Sequence, residues 1–398
     1  MRKYFDVGII GAGISGLGLA IALSQNGHQV TVFEKSKSIR SIGAGLQLSP
    51  NGVKALQRLG LKEEIFTLSI KPTKINIRNG SNDSFIAEIP LGQKALERYS
   101  ANFLQIHRSD LINLLFDRAK HVGVNVVFGE QAIVTSLGAE KSRIATKSFE
   151  YYFDVVIGAD GVHSETRKKF MTLSKPKFLN QVAYRATVPL SKVDKKFSEP
   201  SVRMYLGSGK HVICYPLRPS NLLNLIFCKS ETEWQSDGWN TPAKKEELVT
   251  TFFDFSDTEQ LIKHIDEVRK WGLFGYESKE NWTKNNLVLI GDACHPMLPY
   301  LAQGANQALE DAVSLGFYLS FSGSNSISKR LALYYENRCA RVLSVQRASE
   351  RNARIYHLSN GVARFFTHGF MGLASTFMPT FLLSRFDWLY GYDFNPSA

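Results

Sequence analysis

Apolar runs punctuated by glycine turns organise the first part of the chain. Residues 4–10 form a short apolar run of the buried-strand kind. Ile14–Asn26 repeats its apolar positions at the spacing of an amphipathic helix, and Gln29–Glu34 returns to strand spacing. The spacing predicts a β-α-β unit, whose crossover favours a parallel sheet. His107–His121 reads as a helix with Ser109 and Asp110 in its first turn. Val124–Phe128 reads as a strand, and Asp154–Ala159 as a third buried strand ending in a glycine-rich turn.

The texture changes between about 175 and 275. Segments such as QVAYRATVPL, SVRMYLG, HVICYPL and NLLNLIF are short, β-branched or aromatic, and bounded by Gly, Pro, Ser and Asn. They predict a mostly antiparallel sheet inserted into the first domain. Asn286–Ile290 restores the buried-strand pattern, and helices follow at Gly304–Leu319 and near Ile327–Leu358. The stretch Phe365–Leu383 is apolar-rich but contains His368, Pro379 and several glycines. A spanning helix needs roughly 20 uninterrupted apolar residues. A packed C-terminal helical region is therefore expected, with loose membrane contact as the lesser alternative. The expected class is α/β: a Rossmann-like domain over 1–174 and 276–325, an inserted β-sheet substrate domain over 175–275, and a helical region over 326–398.

Composition adjusts this picture only slightly. The 398 residues, 44% of them hydrophobic, suffice for two or three packed units. The opening MRKYFDVGIIGAG leaves no room for a secretory leader, so none is expected. Cys214, Cys228, Cys294 and Cys339 lie far apart without a CxxC, which disfavours a dithiol redox centre or a zinc knuckle and fits a reducing cytoplasm. The net charge of +12 favours anionic partners. The basic residues are scattered in pieces such as 167–170 and 192–197, so nucleic-acid binding is not expected.

Three constellations carry chemistry. Gly11-Ala12-Gly13-Ile14-Ser15-Gly16 sits between a strand and a helix. Gly11 permits the turn, Gly13 lets a pyrophosphate approach the backbone, and Gly16 lets helix and strand pack closely. Glu34 ends the next strand, 23 residues after Gly11, where a carboxylate can hold a ribose diol. The second is Gly291-Asp292-Ala293-Cys294-His295-Pro296, followed by Gln303-Gly304-Ala305-Asn306 at a helix start. An acid at a strand end can hold a second hydroxylated chain, and the helix N-terminus beyond it favours developing negative charge. A flavin needs both and NAD needs neither, so the pair favours FAD. The third, Gly158-Ala159-Asp160-Gly161-Val162-His163-Ser164-Glu165-Thr166-Arg167, is again a strand end, a turn and a helix start. Asp160 could orient the cofactor and Arg167 could meet phosphate, or the segment could be a capped turn with a surface arginine.

Together, in this order, the three motifs resemble those of the single-component flavoprotein aromatic hydroxylases, nearest to the salicylate hydroxylase and 3-hydroxybenzoate 6-hydroxylase branches. The similarity extends to the ending Phe386-Asp387-Trp388-Leu389-Tyr390-Gly391-Tyr392. The resemblance implies an NAD(P)H- and O2-dependent hydroxylation of a small phenolic acid through a flavin C4a-hydroperoxide, salicylate first. The alternatives are a quinone precursor, kynurenine or a heteroaromatic acid. A non-catalytic binder on the same fold, like the GDP-dissociation inhibitors, would have no reason to keep the second constellation. The resemblance also implies individual roles. Gly11, Gly13, Ser15 and Gly16 hold the pyrophosphate, and Glu34 the ribose. Arg108 contacts FAD, Asp160 serves FAD positioning and nicotinamide access, and Asp292 binds the ribityl chain. Gly304, Ala305 and Asn306 flank the pyrimidine edge, and Pro299 faces the ring where oxygen reacts. NADH or NADPH is a transient donor, because no second GxGxxG exists, and the protein is a monomer or homodimer.

For the substrate pocket the expected residues are His211, Tyr215 and Gln303. His211 and Tyr215 are four apart on a presumed strand and so share a face; the alternative is a half-exposed His and a core Tyr. Relatives commonly carry His where this chain has Cys214, which leaves the ring's substitution open. His295 reads mainly as part of a rigid loop. Arg338, Arg341, Arg347, Arg351 and Arg354 read as solvated or interdomain residues, and no metal-ligand set is visible.

Overall fold

The computed structural model describes residues 4–39, 44–171, 177–234, 240–275, 281–321 and 326–395. The expected domain boundary at 174/175 falls outside these residues. Two sheets organise the fold. The first has the spatial order Thr283–Lys284, Leu287–Leu289, Val155–Gly158, Asp6–Ile10, Gln29–Glu34 and Asn125–Phe128. It is parallel except for its edge hairpin. Each expected strand is present: Gln29–Glu34 has its expected bounds and the others are one or two residues shorter.

The Ile14–Gln25 helix is not amphipathic. Ile14 and every residue from Gly16 to Leu23 are buried, because the helix is sandwiched between the sheet and the Gly304–Ser320 helix. Small residues set that contact. A Cβ on Gly316 would lie 2.7 Å from the Ala22 Cβ, and one on Gly18 would lie 3.2 Å from that of Ala312. A helix covered on all sides is apolar on all sides, which is why its periodicity carries little directional signal.

The second sheet has eight strands among the described residues and is antiparallel apart from one pair. It contains Lys177–Pro189, Val202–Leu206, Lys210–Leu217, Leu222–Ser230 and Val268–Gly275, all in the region where the sequence changes texture. It also takes Lys74–Asn79 and Phe85–Pro90 from far upstream, Lys74–Asn79 pairing in parallel with Val202–Leu206. A two-stranded ribbon, Gly45–Leu48 with Leu104–His107, pairs separately. The Ile327–Tyr356 helix and the C-terminal helices Gly361–Phe377, Phe381–Ser384 and Asp387–Tyr390 complete the chain. Leu382, Leu383, Leu389 and Tyr390 are buried, but the Gly361–Phe377 helix buries only Ala374 and Ser375. Packing thus meets the expectation at the end of the chain but not along the large side chains of that helix.

The first glycine turn is held by contacts that exclude side chains. Gly11 has φ +108°, and a Cβ there would overlap the Ala159 carbonyl. A Cβ on Gly16 would overlap the Gly11 carbonyl, whereas one on Gly13 meets nothing within 4 Å. Gly16→Ala should therefore cost about 1–3 kcal/mol of stability. Gly13→Ala should leave stability unchanged in the absence of nucleotide. Chemical denaturation of the two variants checks the contrast.

Candidate functional site

Three glycine-punctuated strand ends meet at one edge of the parallel sheet. The Ala159 amide donates to the Ile10 carbonyl at 2.9 Å, and the Ile290 amide to that of Gly158 at 3.0 Å. Gly291, at φ +59°, lies so close to Ser15 that a Cβ would come 2.9 Å from its Oγ. The first and second constellations therefore touch. Glu34 accepts from the Ala12 amide at 3.1 Å and from the Ser36 amide at 2.8 Å, which puts its carboxylate against the glycine loop.

From this edge a cleft of about 240 Å³ runs toward the eight-stranded sheet. Asp292, Pro299, Gln303, Gly304 and Ala305 line one side, with Arg108 at the start of the Arg108–His121 helix. Arg185, Tyr215, Ile213 and Met204 line it from the sheet, and Tyr300 and Tyr356 also border it. Burial, opposed by Asp292 and reinforced by Arg185, lowers the pKa of Arg108 from its ordinary value. Arg185 stacks over Trp271, its guanidinium 5.4 Å from the ring centroid. Burial raises the phenol pKa of Tyr215, against the pull of Arg185, so it stays protonated at neutral pH.

Other expected site residues lie elsewhere. His211 does not line the cleft. It is fully buried behind it, with Nδ1 2.8 Å from His357 Nε2 and its ring packed on Tyr300 and Tyr356. Burial and then His357 hold its pKa well below 6.5, and burial lowers His357 to about 4, so the pair is neutral at pH 7. Cys214, one residue from Tyr215, faces the opposite side of the strand and packs in the core with Tyr205 and Val212. It is not among the residues that line the cleft.

Asn306 is buried and acts as a brace. It accepts from the Ser49 amide at 3.0 Å and donates to the Ala302 and Gln47 carbonyls. Gln303 borders the cleft, but its amide is engaged by Ser49, Asn51 and Gln307. Asp160 caps the Glu165–Phe170 helix, accepting from the Thr166 amide and hydroxyl, and its Oδ1 is buried without a hydrogen-bond partner. Arg167 is neither a surface residue nor part of the glycine loop: it is buried and donates to the Ala293 and Cys294 carbonyls.

Arg338 and Arg341 follow the interdomain alternative rather than the solvated one. Arg338 is fully buried and pairs with Asp311 at 2.8 Å and Glu310 at 2.5 Å, while Arg341 pairs with Glu310 at 2.6 Å. Arg347, Arg351 and Arg354 are exposed. Asp311 also accepts from the Gly291 amide at 2.9 Å and bonds His295 Nε2 at 2.6 Å. Burial alone would raise the Asp311 pKa, but His295 and Arg338 outweigh it and hold it at about 2. Burial would likewise lower that of His295, but Asp311 keeps it well above 6.5. Side-chain atoms of Cys294, His295 and Asp311 lie within 4.8 Å of one another, yet Asp311 already serves two cationic partners.

Sequence reasoning missed Arg185, Tyr300 and Tyr356. Arg185 carried a signal, as the lone charge within the strand segment VAYRATVP. Arg338→Leu removes one of the two cationic partners from each of two buried carboxylates and should destabilise the protein by about 3–5 kcal/mol. Adding Glu310→Gln and Asp311→Asn should recover part of that loss in denaturant titrations.

Over residues 4–349 the chain matches the FAD binding domain family. It is 32% identical to the 3-amino-4-hydroxybenzoate 2-monooxygenase of Streptomyces platensis, covering 98% of this chain and 96% of that protein. It is 30% identical to 3-hydroxybenzoate 6-hydroxylase 1 of Aquipseudomonas alcaligenes, with 97% of each chain covered. A solved salicylate hydroxylase in complex with substrate superposes with a TM-score of 0.81 at 25% identity, covering 99% of this chain and 97% of that one. With its three strand ends gathered at one cleft and its match running nearly end to end, the chain belongs to the FAD binding domain family and is an FAD-dependent aromatic monooxygenase.

Proposed function

We propose that the chain hydroxylates a small hydroxybenzoate, salicylate first, with NADH or NADPH as donor and O2 as oxidant. The observation that carries this reading is the pairing of Arg108 and Arg185 in a cleft whose other walls are largely apolar and aromatic. Two guanidiniums in a partly desolvated space attract a carboxylate and lower the pKa of a neighbouring phenol, favouring the electron-rich phenolate. The relatives named for hydroxybenzoate substrates support the same class.

The chain's residues fit FAD. Gly13 and Gly304 have no atom within 4 Å of the position a Cβ would take, which leaves room for phosphate and ring edge to approach the backbone. Gly11 to Gly16 would hold the pyrophosphate, with Glu34 at the ribose and Asp292 at the ribityl chain. The helix start at Gly304 and Ala305 would meet the pyrimidine edge, its dipole favouring negative charge there. When bound, FAD accepts hydride equivalents from the nicotinamide and activates O2, chemistry that side chains cannot supply.

The protein's own work is to bind, orient and exclude water. Arg185 would anchor the substrate carboxylate. Tyr215, kept protonated by burial, would donate to the ring oxygen. Met204, Ile213 and Tyr356 would keep water from the reacting face. His211 is a positioning residue in this scheme: it supports Tyr300 and Tyr356 from behind and exchanges no proton with substrate. The four unpaired cysteines support a cytoplasmic location.

A panel of hydroxybenzoates scored for NAD(P)H oxidation and for hydroxylated product tests the proposal. At least one acid, salicylate first, should accelerate oxidation and yield product; no response across the panel would refute the substrate class. Arg185→Gln should raise KM about tenfold or more with FAD content unchanged, the scale of one lost charge-assisted contact. Asp292→Ala should lose most of its FAD on gel filtration, and normal flavin content in that variant would overturn the ribityl assignment.

A further inference from the structure

The Gly361–Phe377 helix is built inside out. Its inner side carries small residues: a Cβ on Gly372 would lie 3.0 Å from the Ile86 carbonyl, and Ser375 bonds both the Glu88 amide and carbonyl at 2.8 and 3.1 Å. Its phenylalanines point to solvent, while Met371 packs partly buried against the core beneath. Val362, Phe366, Phe370, Leu373 and Phe377 recur at helical spacing and are 57–76% exposed, with Phe365 beside them at 74%. Met378, just beyond the helix, is 52% exposed. Phe85, on a neighbouring strand, is also exposed and lines with Phe365 a surface groove of about 510 Å³. Packing explains the small residues and leaves the aromatic face unexplained. Soluble surfaces rarely expose contiguous apolar patches of this extent.

Charge identifies the partner. From Arg351 to Phe386 the chain contains no acidic residue, but it holds Arg351, Arg354, Arg364 and Arg385. Acids near this face are already paired: Glu88 with Lys74, Asp83 with Arg78, and Asp387 with Arg98. A second copy docked face to face would set arginine against arginine. A surface of anionic phospholipid supplies the missing charge and accepts the aromatic side chains at its headgroup boundary. No helix among the described residues is long and apolar enough to cross a membrane, so contact of this kind lies in the interfacial plane.

We propose that the Gly361–Phe377 helix docks the protein peripherally on an anionic lipid surface, its phenylalanine face in the headgroup boundary and its flanking arginines on lipid phosphates. The test is co-sedimentation of the FAD-loaded protein with vesicles of phosphatidylcholine alone or with one-third phosphatidylserine. Partition should be about tenfold or more stronger onto the anionic vesicles, as several interfacial cations require. It should weaken with salt. Phe366→Asp with Phe370→Asp, and separately Arg354→Glu with Arg364→Glu, should each reduce it about tenfold with flavin content and circular dichroism unchanged. No binding to anionic vesicles overturns the proposal, as does equal binding to both compositions. A dimer that Phe366→Asp dissociates, without any vesicle binding, also overturns it and assigns the face to a second copy.

Discussion

A buried cluster of opposite charges fixes where the flavin-side loops stand. Arg338 comes from one helix, Glu310 and Asp311 from another, and His295 from the loop after the second glycine turn. Each carboxylate has its desolvation offset by two cationic partners, so neither is left alone in a low-dielectric interior. Asp311 also accepts from the Gly291 amide, which ties the backbone that presents Asp292 to the helix that borders the cleft. If the cluster were loosened, the turn at Gly291 and the helix start at Gly304 would lose their common reference.

The glycine constellations were legible because their physics is local. A positive φ at Gly11 and the close approach at Gly16 forbid side chains, and that prohibition is written directly into the residue type. Asp292 was legible for the same reason, as an acid on a strand end. What was not legible depended on depth and on distant pairing. Strand spacing correctly placed His211 and Tyr215 on one face, but spacing cannot say that Tyr300, Tyr356 and His357 close over the former. Nor can it show that the Lys74–Asn79 strand joins a sheet built mostly of residues past 175, since the pairing bridges more than a hundred positions. Arg338 stays between solvated and interdomain for a third reason: on a long helix rich in arginine, sequence does not reveal which one faces two buried acids.

The two sides of the cleft are held in different ways. On the flavin side, Gln303 and Asn306 are bound by Ser49, Asn51, Gln307 and backbone carbonyls, a closed polar lattice that permits few rotamers. On the sheet side, Met204 and Ile213 meet the cleft through apolar contacts, which are non-directional and tolerant of volume-conserving exchange.

That asymmetry bears on how such a protein diverges. Because the lattice on one wall shares no hydrogen bond with the side chains of Met204 or Ile213, a single base change at those codons can re-contour the chamber while leaving the prosthetic group seated. New ring preferences can therefore arise one residue at a time, without an intermediate ancestor that has lost its redox chemistry.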